Sequence, residues 1–163
     1  MSEALVQLQE IELLGQNPDA YCAPLKWRVR VEALENFSEP ISISFVWVGS
    51  ASSSEYDQHL DSFDIGPLTV GVTEFQLECD APQVELVPPG DVLGVTILII
   101  SFQFRSQEFL RVGYYVQVAY FEDEKNQHPP QVPDKNALGR FLAMPQPVVT
   151  FNPLVWQGQT PTQ

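Results

Sequence analysis

Basic residues are scarce. Lys and Arg number eight against twenty-one Asp and Glu in 163 residues, for a formal net charge of −13. None falls between Arg30 and Arg105, an interval that holds twelve of the acids. Such a chain lacks the basic, aromatic-lined groove that nucleic-acid binding requires. An acidic surface either attracts a basic protein or keeps the chain solvated. The two cysteines, Cys22 and Cys79, have no metal-ligand spacing. A disulfide is open to them, but two scattered cysteines fit a reducing compartment equally well. Each reads most simply as a small core side chain. No continuous apolar run reaches the length of a membrane span, and no basic segment followed by an apolar one opens the chain. Neither a transmembrane helix nor a signal peptide is expected.

Catalytic signatures are missing too. There is no phosphate-cradling glycine loop, no nucleophile elbow and no zinc motif. His59 and His128 are far apart; His59, among Asp57 and Asp61 in EYDQHLDS, reads as an exposed loop histidine with acidic neighbours. Asp57, Asp61 and Asp64 lack the ligand spacing of a calcium loop. Ser52, Ser53 and Ser54 stand before an acid and suit the cap of a short helix; no base accompanies them for nucleophilic chemistry.

What the chain does contain is strand pattern. At 163 residues it is long enough for one domain with a sizeable core. Trp27, Val29 and Val31 alternate with Lys26, Arg28, Arg30 and Glu32. Ile41, Ile43, Phe45 and Trp47 repeat the pattern, Phe75 and Leu77 continue it, and two long runs follow at 93–104 and 108–121. Turn-rich segments separate them: ENFSEP, GSASSSEYD, DIGPLTVG and APQVELVPPGD. This predicts an all-β fold, an antiparallel β-sandwich. Only 53–60 and 134–143 suit short connecting helices, and HPPQVPD reads as an irregular surface crossing. The expected core spans residues 1–156, with QGQTPTQ at 157–163 as a flexible tail.

The run LGVTILIISFQF carries apolar side chains on both faces. Leu98, Ile100, Phe102 and Phe104 form one face; Val95, Ile97 and Ile99, followed by Ser101 and Gln103, form the other. In the next run Leu110, Val112, Tyr114, Val116 and Val118 read as core, because Arg111 and Gln117 lie in the alternate set. Joined by a simple two-residue turn at Arg105-Ser106, the pair would place Arg111 opposite Ile100 on the core face. The pattern therefore requires a three-residue turn or a bulge. With one extra residue, Ile97 and Ile99 share the outward face with Arg111 and Tyr115, and Gly113 leaves the sheet uncovered beside them. That combination suits a protein-binding hot spot. Alternatively the face is covered by the chain's own segment QPVVTFNPLVW.

The blocks WVGSASSSEYDQHLDS, IGPLTVG, DAP, GVTILIISFQFRSQEFLRVGYYV, NQHPPQVPD and VVTF, with Trp156, resemble the anti-silencing-function histone chaperones over about residues 5–156. The resemblance implies an elongated immunoglobulin-like sandwich without catalytic activity or cofactor. It implies binding to a dimer of the two histones of the central nucleosome tetramer, in nucleosome assembly and disassembly. Residence would be nuclear with a cytoplasmic pool, with no direct contact to nucleic acid or membrane. Ile97 matches the family's central histone-contacting valine. Asp57, Arg111 and Tyr115 match polar contacts around it, and Val48, Asp91, Val95, Ile99, Gly113 and Thr150 match neighbouring positions. Val148 replaces an arginine of the family pattern, removing one polar contact to the histones.

The resemblance also implies a second site across the sandwich, where basic hairpin peptides of larger chromatin-assembly chaperone complexes dock. Glu39 and Pro40 stand for an acidic pair, so one acid is lost. Asp61 matches as an acid, Phe63, Ile65, Pro67 and Phe75 suit an apolar groove, and Asp64 replaces an aliphatic residue. A shallow groove with a negative rim is expected. The long acidic tail of some members is missing from the sequence, so a small tail contribution to histone affinity is expected. The competing readings are an immunoglobulin-like structural or interaction module without histone function, and a sandwich enclosing a small ligand. The first would need extracellular targeting; the second is at odds with Arg111 and Tyr115 beside Ile97.

Overall fold

In LKWRVRVEA every second residue from Leu25 to Ala33 is buried, while Lys26, Arg28, Arg30 and Glu32 reach solvent. The computed structural model describes residues 4–142, 147–154, 156 and 157. It makes this run β3 (Leu25–Ala33), between β1 (Val6–Leu14) and β6 (Gly71–Cys79), in an antiparallel sheet of order β1-β3-β6. The larger sheet contains β2 (Asp19–Ala20), β4 (Ile41–Trp47), β5 (Gln58–Ile65), β7 (Gly94–Phe104), β8 (Gln107–Tyr120) and β9 (Leu138–Leu142). Its order is β2-β9-β8-β7-β4-β5, and β10 (Val148–Phe151) also pairs with β8. The apolar faces of the two sheets pack together. The Trp27 ring of β3 lies 6.2 Å from Phe45 of β4 and 5.1 Å from Tyr114 of β8. Each such large side chain removed from water contributes roughly 1.5–3 kcal/mol. The immunoglobulin-like antiparallel sandwich expected from the sequence is the fold observed.

The β7–β8 hairpin resolves the register question. Its turn has two residues, Arg105 and Ser106, both at positive φ (52° and 64°), as the twist of a tight hairpin demands. Phe104 therefore pairs with Gln107 and Gln103 with Glu108, but Phe102 pairs with Leu110. The extra residue is Phe109, a bulge whose ring turns inward between Phe102 and Trp156. This one-residue shift sets Ile100 opposite Val112 and Arg111 opposite Ser101, so the arginine faces solvent.

Bulges also concealed two strands. In β1 the shift between Leu8 and Glu10 changes the inward set from Val6 and Leu8 to Ile11 and Leu13. In β5 a similar shift separates inward Leu60 from inward Phe63 and Ile65. Neither run alternates strictly, so β1 went unassigned and 53–60 suggested a helix. Only a 3-10 turn forms there, at Ser54–Tyr56, where Ser53 Oγ accepts from the Glu55 N–H at 3.4 Å. The second expected helix, 134–143, is instead a turn followed by β9 at Leu138–Leu142, because pairing with β8 outweighs local preference. The helix that does form is α1 (Asp123–Gln127), tied down by Asn126, whose side chain bonds both backbone groups of Tyr120 at 2.8 Å. Both cysteines are free. Cys79 is buried, and burial pushes its thiol up to about 12; Cys22 is exposed rather than in the core.

The described part of the C-terminal segment, 147–154 and Trp156, does not fold over the outward face of β7. β10 extends the larger sheet beside β8, and Trp156 then enters the core against Phe37, Phe104 and Phe109. Of the expected tail only Gln157 is described, donating to the Asn36 carbonyl at 2.6 Å; 158–163 lie outside the described residues.

Candidate functional site

The outward face of the larger sheet is assembled row by row from strand register. One row crosses five strands as His59, Val46, Ile99, Gly113 and Val148. A second runs Ser62, Ser44, Ser101, Arg111 and Thr150. Between the first row and the loop end of the sheet, Ile97 pairs with Tyr115 and accepts the Val48 N–H on its carbonyl at 3.1 Å. Val95 follows on β7 and is 69% exposed; Tyr115 is 52% exposed. The centre is therefore aliphatic, and the polar groups stand around it.

Gly113 shapes that centre. A Cβ there would lie 3.0 Å from Ile97 Cδ1. The missing side chain lets Ile97 lean toward β8, into the place where a β-strand residue would stand up. Arg111 is preset in a different way. Glu108 accepts from its Nε at 2.7 Å and its Nη2 at 2.9 Å, and this hydrogen bonding raises the guanidinium pKa further. The arginine keeps half its side chain in solvent. A forked ion pair of this kind holds the guanidinium in one orientation while leaving other N–H groups free to donate outward.

Asp57 is exposed where the 3-10 turn ends and β5 begins. Asp91 is exposed in the turn before β7, where its N–H donates to the Pro88 carbonyl at 2.8 Å. The structure thus brings Val48, Val95, Ile97, Ile99, Arg111, Gly113, Tyr115 and Thr150 onto one face, with Asp57 and Asp91 on flanking turns. Sequence reading passed over Val46 and Glu108. Val46 was legible, since it alternates with buried Phe45 and Trp47. Glu108 was not, because its reach to Arg111 depends on the bulge at Phe109.

Nothing in this arrangement pairs a nucleophile with a base. Among the described residues no group of three or more His, Cys, Asp and Glu could hold a metal ion. A half-buried aliphatic centre that runs out to exposed Val95, bordered by an oriented arginine, a phenol and carboxylates, has the make-up of a surface that can exclude water against another protein.

Residues 3–157 match the family model described as ASF1 like histone chaperone. The chain belongs to that family. Among its relatives, the histone chaperone ASF1 of Coccidioides immitis is 37% identical over 153 residues, covering 94% of this chain and 56% of that protein. The Mycosarcoma maydis protein of the same name is 35% identical over 153 residues, covering 94% and 87%. The asf1 protein of Aspergillus oryzae is 35% identical, covering 91% and 54%. The chain thus spans little more than half the length of two of these three.

The second set of residues is only partly assembled in this ASF1-family chain. β5 and β6 are the outer strands of the two sheets and approach each other on one side of the sandwich. Phe63, Ile65 and Phe75 face inward from them, half-buried against the core, with Phe63 6.1 Å from Phe45. Pro67 is exposed in the loop beyond, and Asp61 lies half-buried on the same inward side of β5, accepting the Ser62 N–H at 2.9 Å. The expected negative rim is reduced. Glu39 is paired with Arg105 at 2.6 Å. Asp64 points to the opposite face of β5, where it accepts the Ser42 hydroxyl at 2.8 Å, because alternation separates it from Phe63 and Ile65.

Proposed function

We propose that the outward face of the larger sheet binds a dimer of the two histones that form the central nucleosome tetramer. The protein then acts as a nuclear chaperone, with a cytoplasmic pool, that hands histones on during nucleosome assembly and disassembly. The carrying observation is the outward aliphatic ridge of exposed Val95 and half-buried Ile97 and Ile99, bounded by Arg111 and Tyr115. Ile97 fills the central contact, with Val46, Val48, Val95 and Ile99 excluding water around it. Arg111 and Tyr115 supply outward hydrogen bonds, and Asp57, Asp91 and Thr150 set the orientation of a basic partner. The net charge of −13 speeds encounter with such a partner and disfavours nucleic acid.

At the cleft between β5 and β6, a basic hairpin peptide adds a strand to an open sheet edge. Phe63, Ile65, Pro67 and Phe75 receive its apolar residues, while Asp61 is the principal acid facing it. Glu39 contributes less there because Arg105 already occupies it.

Calorimetric titration of the H3–H4 dimer type into wild-type protein and Ile97→Arg tests the main reading. The arginine must be desolvated against an apolar surface, so affinity falls about 30-fold or more. The melting transition stays where it is, since Ile97 is not in the core. Equal affinity for the two proteins, or no binding by wild type, overturns the assignment.

A further inference from the structure

Beyond the proposed centre, the outward face does not end at β8. Register places Val95 opposite Gln117 and Gln117 opposite Phe141 of β9, so the row continues two strands outward. Phe141 and Gly139 lie on the outward side of β9, Phe141 half-buried and Gly139 covered, because Leu138, Arg140 and Leu142 take the inward positions alongside Val116 and Val118. At the end of β8 the Phe121 ring folds back over Gly139. A Cβ on that glycine would stand 2.5–3.0 Å from three of the ring carbons. The ring also lies 5.7 Å from Phe141. Despite both contacts Phe121 remains 51% exposed. An aromatic side chain held flat on a glycine floor and left open is a preformed apolar ledge.

Its surroundings give the occupant's chemistry. Glu122, Asp123 and Glu124 follow Phe121 directly and are exposed at the start of α1. Lys125, the cation of α1, is already shared between Glu122 at 3.9 Å and Asp134 at 3.2 Å, and Arg140 is turned into the core. Four carboxylates therefore answer one ammonium beside two phenylalanines. Such a border repels an acidic segment and favours one rich in Lys and Arg. With strands roughly 4.8 Å apart and residues roughly 3.3 Å apart along them, Phe141 lies about 12 Å from Ile97. Two turns of an α-helix advance about 11 Å.

We propose that this ledge is a second anchor for the same histone dimer. It takes an aliphatic side chain from a basic amphipathic helix that lies across β7, β8 and β9, two turns from the residue seated on Ile97. The inference rests on the proposed histone-binding face and extends it by Phe121, Phe141, Gly139 and the acidic start of α1.

The test titrates the histone dimer into wild type, Ile97→Arg, Phe121→Ser and Gly139→Ala, each checked for a cooperative melt. Amide exchange is compared between free and bound wild-type protein. Phe121→Ser weakens binding about tenfold. Gly139→Ala, which displaces the ring without removing it, weakens binding severalfold, and the amides of 119–121 and 139–141 gain protection in the complex. If Ile97→Arg abolishes binding while Phe121→Ser and Gly139→Ala bind like wild type and those amides stay unprotected, the ledge is refuted and the histone face stands. If wild type binds no histone, both proposals fall.

Discussion

The two sheets turn different outer surfaces to solvent. On the smaller one, Arg28 and Arg30 of β3 stand between acids supplied by both neighbours. Arg28 reaches Glu10 at 2.9 Å and also pairs with Glu12, while Arg30 reaches Glu10 at 3.1 Å and Glu74 at 2.9 Å. On the larger sheet the equivalent outward positions hold Val46, Ile97, Ile99, a glycine and Val95, and Arg111 is paired with Glu108 alone. Both surfaces belong to antiparallel strands. Cross-strand charge pairs satisfy the first within the molecule. The second leaves Val95 exposed and Val46, Ile97 and Ile99 half-buried, without charge pairs across them. Such a face adds little to the stability of the fold, and the proposed partner site is what would use it.

The largest effect expected from this contrast is on binding. Ile97→Arg on the larger sheet lowers histone affinity about 30-fold or more, whereas Glu74→Ala on the smaller sheet leaves it within twofold. Parallel titrations of the two variants make the comparison. Equal losses would mean that the smaller sheet also carries the partner, and that the apolar surface is not the distinguishing feature.

A buried arginine sharpens the contrast from inside. Arg140 is 2% exposed, and its Nε and Nη1 have no hydrogen-bond partner. Desolvation lowers its pKa, partly offset by Asp19, yet no ion pair forms between the two. Where Arg28 and Arg30 are paired in water, Arg140 has no ion-pair partner among the described residues and lies in the core. Replacing it with methionine should stabilise the fold by about 1–4 kcal/mol, the range seen when buried charges give way to apolar residues. Urea denaturation of Arg140→Met measures this. A destabilised variant would show that the guanidinium is satisfied in solution by water or by Asp19.

Gly113→Ala probes the apolar centre more gently. The new methyl meets the end of a flexible side chain, Ile97 Cδ1 at 3.0 Å, rather than backbone. The fold therefore loses less than about 1 kcal/mol, while Ile97 is pushed from its position and histone affinity drops about fivefold. Unchanged affinity would indicate that the orientation of Ile97 is immaterial and that exposed aliphatic area alone decides.

Much of this contrast was legible before any coordinates. Strict alternation in β3 and β4 assigned inner and outer faces directly, and the need to keep Arg111 out of the core demanded an irregular hairpin. What stayed hidden depended on bulges. The apolar positions in β1 and β5 change parity partway, so a period of two could not be followed through either. The outward turn of Asp64 followed from alternation with Phe63 and Ile65, yet resemblance had grouped it with them. The Arg105–Glu39 pair needed the sheet itself, since the partners are far apart in sequence and meet only where the hairpin turn passes the start of β4. The Phe121 ledge was equally inaccessible, because β9 had been read as helix and the glycine floor had no meaning without its pairing to β8.

The smallest expected effect concerns the charge lattice. Glu10 touches both Arg28 and Arg30, so Glu10→Gln removes the carboxylate they share and leaves Glu12 and Glu74 to hold one arginine each. All five side chains keep roughly a third to a half of their surface in water, so their attractions are screened and part of the gain is spent ordering long side chains. The loss should be no more than about 1 kcal/mol at low salt and should shrink toward zero near 0.5 M salt, with histone affinity unaffected. Thermal melts of Glu10→Gln and wild type across that salt range give the comparison. A loss of several kcal/mol that salt does not reduce would mean that the lattice behaves like a buried network. The smaller sheet would then depend on its outer charges for stability, rather than on the alternating residues packed beneath them.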